Sequence, residues 1–196
     1  FAFMKMEKIE SINAPKSYRV GDGAFYDCPN LKSVAMVYST MSYIGAAACA
    51  NCPKLTNVVL PESYAGFTGA SLFANCTSLT SVRLPKNATT IGYAIFAGCS
   101  SLTSVTLPSY LTSIDDNAFA GTKVTMTVPA SVTSIGDYAF YNNTTGTVTF
   151  QYPQNLKTVG KYVFSNTNNL SQTDKDILLS KNSQAIGRSY EPSVGG

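Results

Sequence analysis

One repeat runs through most of this chain and leaves little freedom in what it can fold into. A recurrent phenylalanine marks its phase at Phe3, Phe25, Phe73, Phe96, Phe119, Phe140 and Phe164, with Cys49 in the remaining slot. The steps between markers are 22, 24, 24, 23, 23, 21 and 24 residues. A near-constant period of this length is the signature of a solenoid. Each unit is too small to bury its own apolar face and must stack on its neighbours.

Other columns keep the same phase. Five residues before the marker stand Val20, Ile44, Thr68, Ile91, Ile114, Ile135 and Val159. Three residues after it come Cys28, Cys52, Cys76 and Cys99, then Thr122, Asn143 and Thr167. Next follows L-x-x-V-x-L, beginning at Leu31, Leu55, Leu79 and Leu102 and usually closed by proline (Pro61, Pro85, Pro108, Pro129). The Val and final Leu are two apart, so both face one side of an extended segment. Thr and Val favour strand, and a proline that cannot donate to a ladder ends it.

One short strand per coil, stacked in chain order, predicts a parallel sheet, with turns or short helical turns on the other side. The class is a strand-rich leucine-rich-repeat solenoid of the α/β horseshoe type. The Ile, Phe, Cys and Leu columns are its predicted core. Ile9, Ile12, Ala14 and Pro15 fit as half a repeat, so the first repeat is truncated. The chain opens on Phe1, which reads as a processed or excised piece of a longer protein.

After Leu170 the pattern fades. SQTDKDILLSKN reads as a short helix, with Ser171 or Thr173 as N-cap, acidic residues early and Lys181 late. The domain expectation is a solenoid over 1–169, a cap over 170–187 and a flexible tail over 188–196.

The units LPSYLTSIDDNAFAGT and CSSLTSVTLPSYLTSI resemble the BspA-like leucine-rich repeats, a resemblance covering residues 1 to 168. Cys49 for Phe, Thr68 for Ile, the shortened coil around Lys123 and the Gln151-Tyr152 insertion depart from it. The resemblance implies a cell-surface or secreted bacterial protein that binds host proteins or other cells. It also implies adhesion to extracellular-matrix and plasma proteins, the activity of the family's namesake.

The chemistry available is narrow. With His 0, the chain lacks the commonest general base and the commonest metal ligand. A net charge of +3 does not predict a nucleic-acid partner or an anionic membrane. No apolar run is long enough to span a bilayer, and no secretory signal is visible. The cysteines of the column are one repeat apart, which reads as stacked free thiols rather than bridges or a metal cluster. Cys49-Ala-Asn-Cys52 is a CxxC, but one member only fills the Phe slot and no second pair follows. Asp115-Asp116 is an adjacent acidic pair and reads as a turn-former. No catalytic, cofactor or metal site is expected.

Surface composition points elsewhere. Charged residues are only 13%, roughly half the usual quarter, so hydroxyls and amides must solvate the surface. The outward sheet positions form a concave, mostly hydroxyl strip, of which Asn57, Ser81, Arg83, Ser104, Thr106, Thr127 and Thr149 are the candidate contacts. Arg83 is the charge among them. The leading reading is a non-enzymatic, surface-displayed binding or adhesion module for a host or neighbouring-cell protein. Extracellular-matrix, plasma or mucin glycoproteins are the expected ligands, and the domain is expected to be a monomer. A glycan-binding module and a structural spacer are the alternatives. The twelve tyrosines are a second candidate, although Tyr93, Tyr138 and Tyr162 recur near the Phe column and read as wedges between coils. An exposed aromatic cluster on one face would favour binding. A uniformly polar surface would favour the spacer.

Overall fold

Within each L-x-x-V-x-L the central Val turns inward and its neighbours outward, and this alternation builds the first strand of every coil. A computed structural model describes residues 3–13, 19–37, 42–62, 64, 69–167 and 169–187. Thr68 and the tail expected over 188–196 lie outside the described residues. The fold is a parallel-strand solenoid with little helix.

The three-residue strands are β1 (Ser11–Asn13), β3 (Ser33–Ala35), β5 (Asn57–Val59), β6 (Ser81–Arg83), β8 (Ser104–Thr106), β10 (Met126–Val128) and β12 (Val148–Phe150). In addition to this expected strand, each coil with a described Ile-column residue carries a second, two-residue strand. These are β2 (Arg19–Val20), β4 (Tyr43–Ile44), β7 (Thr90–Ile91), β9 (Ser113–Ile114), β11 (Ser134–Ile135) and β13 (Thr158–Val159). All pairings among these strands are parallel and join residues one coil apart, as in Val34 to Val58 and Ile91 to Ile114. The second strand needs only one β-branched residue, Ile or Val, pointing into the core after an outward-facing neighbour.

The first set divides into β1-β3-β5, β6-β8 and β10-β12, so its ladder breaks between β5 and β6 and again between β8 and β10. In the second set, β2-β4 and β7-β9-β11-β13 stand on either side of residues 65–68, which lie outside the described residues.

The far side of each coil is a turn with left-handed residues two before and two after the marker. The later position holds Asp27, Asn51, Asn75, Gly98, Gly121, Asn142 and Asn166, the residue types that tolerate positive φ best. Around the marker the backbone bonds coil to coil: Phe25 N to Ala48 O at 2.7 Å, Phe73 N to Ile95 O at 2.9 Å, Phe119 N to Ala139 O at 2.8 Å. The rings beneath stack in turn, with Phe96–Phe119 centroids 5.5 Å apart and Phe140–Phe164 5.2 Å apart. The Leu, Ile, Cys and Phe columns are buried in one core.

The two ends differ. Phe3, Met4 and Met6 are exposed at the start of the stack. At the other end, α1 (Gln172–Lys181) begins at Ser171, whose hydroxyl accepts from Asp174 N at 3.1 Å, and buries Leu178. Beyond it, Gln184 O and Ala185 O take the bonds offered by Tyr162 N and Phe164 N. The Gln151-Tyr152 insertion leads into a 3-10 turn at Pro153–Asn155, and Gln151 Oε1 accepts from Ala130 N at 2.9 Å.

Candidate functional site

The candidate strip rests on the inward valines. Val34, Val82 and Val105 are buried, so Ser81, Arg83, Ser104 and Thr106 beside them point to solvent. Ser81 pairs in register with Ser104 and Arg83 with Thr106. Asn57 is exposed at the start of β5, paired with Ser33. In the coil of β10 a residue is lost after the Leu slot, and Val124, Met126 and Val128 are buried alternately. Thr127 thereby takes the Thr106 position, pairs with Thr149, and shares a hydroxyl–hydroxyl bond of 2.9 Å with it. All seven candidate residues are exposed, but they lie on three separate sheets.

Charge on this face is concentrated near Arg83. Glu62 is occupied by Lys86 at 3.1 Å, and that bond, then the Lys86 charge, holds its carboxyl below the usual range. The Arg83 guanidinium makes no hydrogen bond or salt bridge among the described residues, and its charge adds to the lowering of the Glu62 carboxyl. Its five guanidinium donors face solvent beside Val59, which is 41% exposed.

The other sequence candidates have structural work. Each column cysteine donates its thiol proton to the marker carbonyl of the preceding coil: Cys28 to Phe3 O at 3.2 Å, Cys52 to Phe25 O at 3.2 Å, Cys76 to Cys49 O and Cys99 to Phe73 O at 3.1 Å. Thr167 Oγ1 repeats the bond to Phe140 O at 3.1 Å. Asn143 instead donates to Val124 O at 2.9 Å. The substitutions in this column were the signal that it needs a donor, and reading cysteine only as a small hydrophobe missed it. All five cysteines are unpaired and buried. Burial pushes the Cys52 thiol up to about 11 and Cys99 to about 12, and raises Cys49 and Cys76 strongly. No set of three metal-ligating side chains comes together among the described residues.

The acidic residues cap the backbone. Asp116 Oδ1 accepts from Asp137 N, and Asp137 Oδ1 from Lys161 N, both at 2.7 Å. Asp22 Oδ1 does the same for Ala46 N at 3.0 Å and also accepts the Tyr43 hydroxyl at 2.7 Å. A glycine one residue earlier makes room: a Cβ on Gly136 would lie 2.2 Å from Asp116 Oδ1 and 2.4 Å from its backbone N. A cleft of about 370 Å³ runs along this column between Tyr93, Asp115, Asp116 and Asp137. Burial, then the charge of Asp116, raises the Asp115 carboxyl.

Tyr138 and Tyr162 stack at 5.3 Å, and Tyr141 meets Tyr138 edge-on at 5.7 Å. Tyr138 and Tyr141 are each 38% exposed, so an aromatic cluster does reach the surface, away from the strip. Sequence spacing had placed Tyr138 and Tyr162 together but not Tyr141. Tyr93, half exposed, lines the acidic cleft instead.

A family model described as BspA type leucine rich repeat region matches residues 1–125 and 66–189, in 6 copies. No curated protein matches the chain. Among solved structures, it is similar to a leucine rich cell surface protein from Faecalibacterium prausnitzii (TM-score 0.67, 23% identity, 83% of this chain and 61% of that one). It is also similar to a leucine-rich repeat protein from Bacteroides ovatus (TM-score 0.57, 24% identity, 85% and 60%). A third is a leucine rich repeat protein of T. pallidum (TM-score 0.54, 23% identity, 90% and 85%). The chain spans about three fifths of the length of the first two. No described helix is long and apolar enough to cross a membrane.

Proposed function

The chain belongs to the BspA-type leucine-rich repeat family, and from that premise we propose that it is a non-enzymatic binding module displayed at the cell surface, recognising a protein of a host or a neighbouring cell. The observation that carries this reading is the strip. Seven exposed polar side chains are held on short ladders over one buried core, with an unpaired guanidinium among hydroxyls. Side chains fixed by a packed scaffold lose little freedom on binding, and Arg offers planar, bidentate contacts. Extracellular-matrix, plasma and mucin glycoproteins are the partners to try. The purified domain, immobilised, is tested against each class. Saturable binding that weakens in strip variants supports the reading, and binding indifferent to every strip substitution moves the site elsewhere.

A second reading has its own observation. Exposed tyrosine faces stack on sugars, and the Tyr138–Tyr141–Tyr162 cluster supplies such faces. On that reading the module binds the glycan of a glycoprotein. Enzymatic removal of the glycan then abolishes capture, and Tyr141→Ala weakens it while strip variants do not.

A further inference from the structure

The strip ladder is interrupted twice, between β5 and β6 and between β8 and β10, and the first break carries a pocket beside Arg83. Elsewhere the backbone joins one coil to the next across this face. β3 pairs with β5, β6 with β8 and β10 with β12, and Lys123 N and Thr125 N bridge from the β10 coil to Leu102 O and Thr103 O, each at 2.9 Å. No ladder pairs β5 with β6. Those two coils are tied beyond the strand ends, by Lys86 N to Glu62 O at 3.2 Å and the Lys86–Glu62 ion pair.

The seam opens a crevice of about 280 Å³ with an apolar floor of Val58, Val59, Leu60, Leu84 and Pro85. Arg83 stands on its rim. That volume lies below the roughly 300–1,000 Å³ of small-molecule pockets and suits one large apolar side chain. The rim sets the charge of what sits beside it. Two cations face one carboxylate here: Lys86 bonds Glu62, and the charge of Arg83, which makes no side-chain bond to it, also reaches that carboxyl, so the seam is net positive.

We propose that the β5–β6 seam is the specificity pocket of the strip and takes an extended, acidic segment of a protein partner, with an apolar side chain inserted against Val59 and Leu84 and a neighbouring carboxylate on Arg83. This rests on the strip being the binding face and adds which chemistry it selects. In an extended segment residues two apart project to one face, so an apolar residue and a carboxylate two positions away can meet floor and rim together. A guanidinium accepts a carboxylate through two parallel hydrogen bonds, which a lysine or hydroxyl cannot copy.

The test uses a labelled Glu-Leu peptide that repeats Leu-Ser-Glu-Ser, so that Leu and Glu share one face, with a Lys-Leu peptide (Lys for Glu) and a Glu-Ser peptide (Ser for Leu) of the same length, against the intact domain. The Glu-Leu peptide is expected to bind saturably and the other two about tenfold more weakly or not at all. Arg83→Gln should lose about tenfold, Val59→Asn several-fold, and Thr149→Ala less than twofold. Arg83→Glu should turn the preference toward the Lys-Leu peptide, a gain that misfolding cannot mimic. No binding of the Glu-Leu peptide, equal binding of the Lys-Leu peptide, or indifference to Arg83→Gln would each overturn the proposal. Capture of a whole glycoprotein that is lost in Thr106→Arg and Thr127→Arg but kept in Arg83→Gln would overturn the seam while leaving the strip reading standing.

Discussion

The two sides of each coil are built to different standards of continuity. On the turn side, backbone bonds step without a break through Phe3 N to Ala24 O, Phe25 N to Ala48 O, Cys49 N to Leu72 O, Phe73 N to Ile95 O, and on through Phe96, Phe119 and Phe140 to Phe164 N and Ala185 O. Stacked rings and thiol donors lie directly beneath. On the strip side the ladder is in three pieces, its side chains are small and polar, and an apolar crevice opens at one seam. In a solenoid, stability is a sum over neighbouring coils, so one unbroken side suffices to hold the stack. The other side can then vary in register and residue type. On the proposed reading, fold and recognition would be separated across the thickness of one coil.

The strongest way to break that comparison is in the middle of the turn side. Phe96 is fully buried between Phe73 and Phe119. Phe96→Ala should destabilise by about 3–5 kcal/mol in denaturant melts. Phe3, 46% exposed with a ring neighbour on one side, should cost less than half as much. Equal costs at the two sites would sink the idea of a cooperative ring column.

Alkali should attack the same side. The Cys52 and Cys99 thiols are held neutral up to about 11 and 12 by burial, against 9.0 for an exposed thiol. Below pH 9 folded and unfolded chains bind these protons alike, and the thiols' contribution is fully present. Above it the unfolded chain loses them first, so stability falls as pH climbs toward 12. Cys99→Thr keeps a donor for Phe73 O without a titrating group, and should flatten this slope relative to wild type. Identical slopes in urea midpoints from pH 8 to pH 11 would remove the thiols from the account.

Next comes close approach of backbones. The Cβ of Gly136→Ala would meet both Asp116 Oδ1 and Asp116 N, and the latter is main chain. We expect a loss of about 1–3 kcal/mol, the scale of overpacking. Asp116→Ala in the same chain should recover only part of it, because the backbone nitrogen remains.

How much of this was legible in the sequence follows from the same division. The columns at Phe96, Ile114, Cys76 and Leu79 could be read because burial repeats once per coil, and they are buried as expected. Two-residue strands such as Ser113–Ile114 could not, since two residues carry no period of their own. The seam was not visible either, although Thr68 for Ile had marked that coil as irregular. Strand separation depends on how two coils approach, and no single coil encodes it. At the candidate site the outward positions were readable by alternation, including Thr127 past the lost residue. The freedom of Arg83 was not, because it depends on Lys86 reaching Glu62 first.

The smaller effects belong to the strip and should appear in binding, not in melting. Arg83→Ala should weaken capture of a protein partner by about 1–2 kcal/mol, the range of an interface anchor, with an unchanged melt. Its side chain makes no bond whose loss the fold could register. Loss of capture in Tyr141→Ala with none in Arg83→Ala would shift the site to the aromatic cluster.

The finest test is Thr106→Ala. Thr106 pairs in register with Arg83 and is exposed, so it lies within reach of anything that Arg83 holds. Its hydroxyl makes no hydrogen bond among the described residues, and its backbone carbonyl, which accepts from Leu84 N at 3.3 Å, survives the substitution. Binding should therefore change by a few tenths of a kcal/mol, as for an ordinary contact beside an anchor. Titration calorimetry of wild type, both single variants and the double variant measures this directly. If Thr106→Ala costs as much as Arg83→Ala, recognition is spread along the hydroxyls, and the seam loses its special place. If the two effects add without coupling, the ligand touches each independently. A coupling comparable to the Arg83 effect itself would mean that Thr106 positions the guanidinium, and that the strip acts as a unit where the turn side acts as a stack.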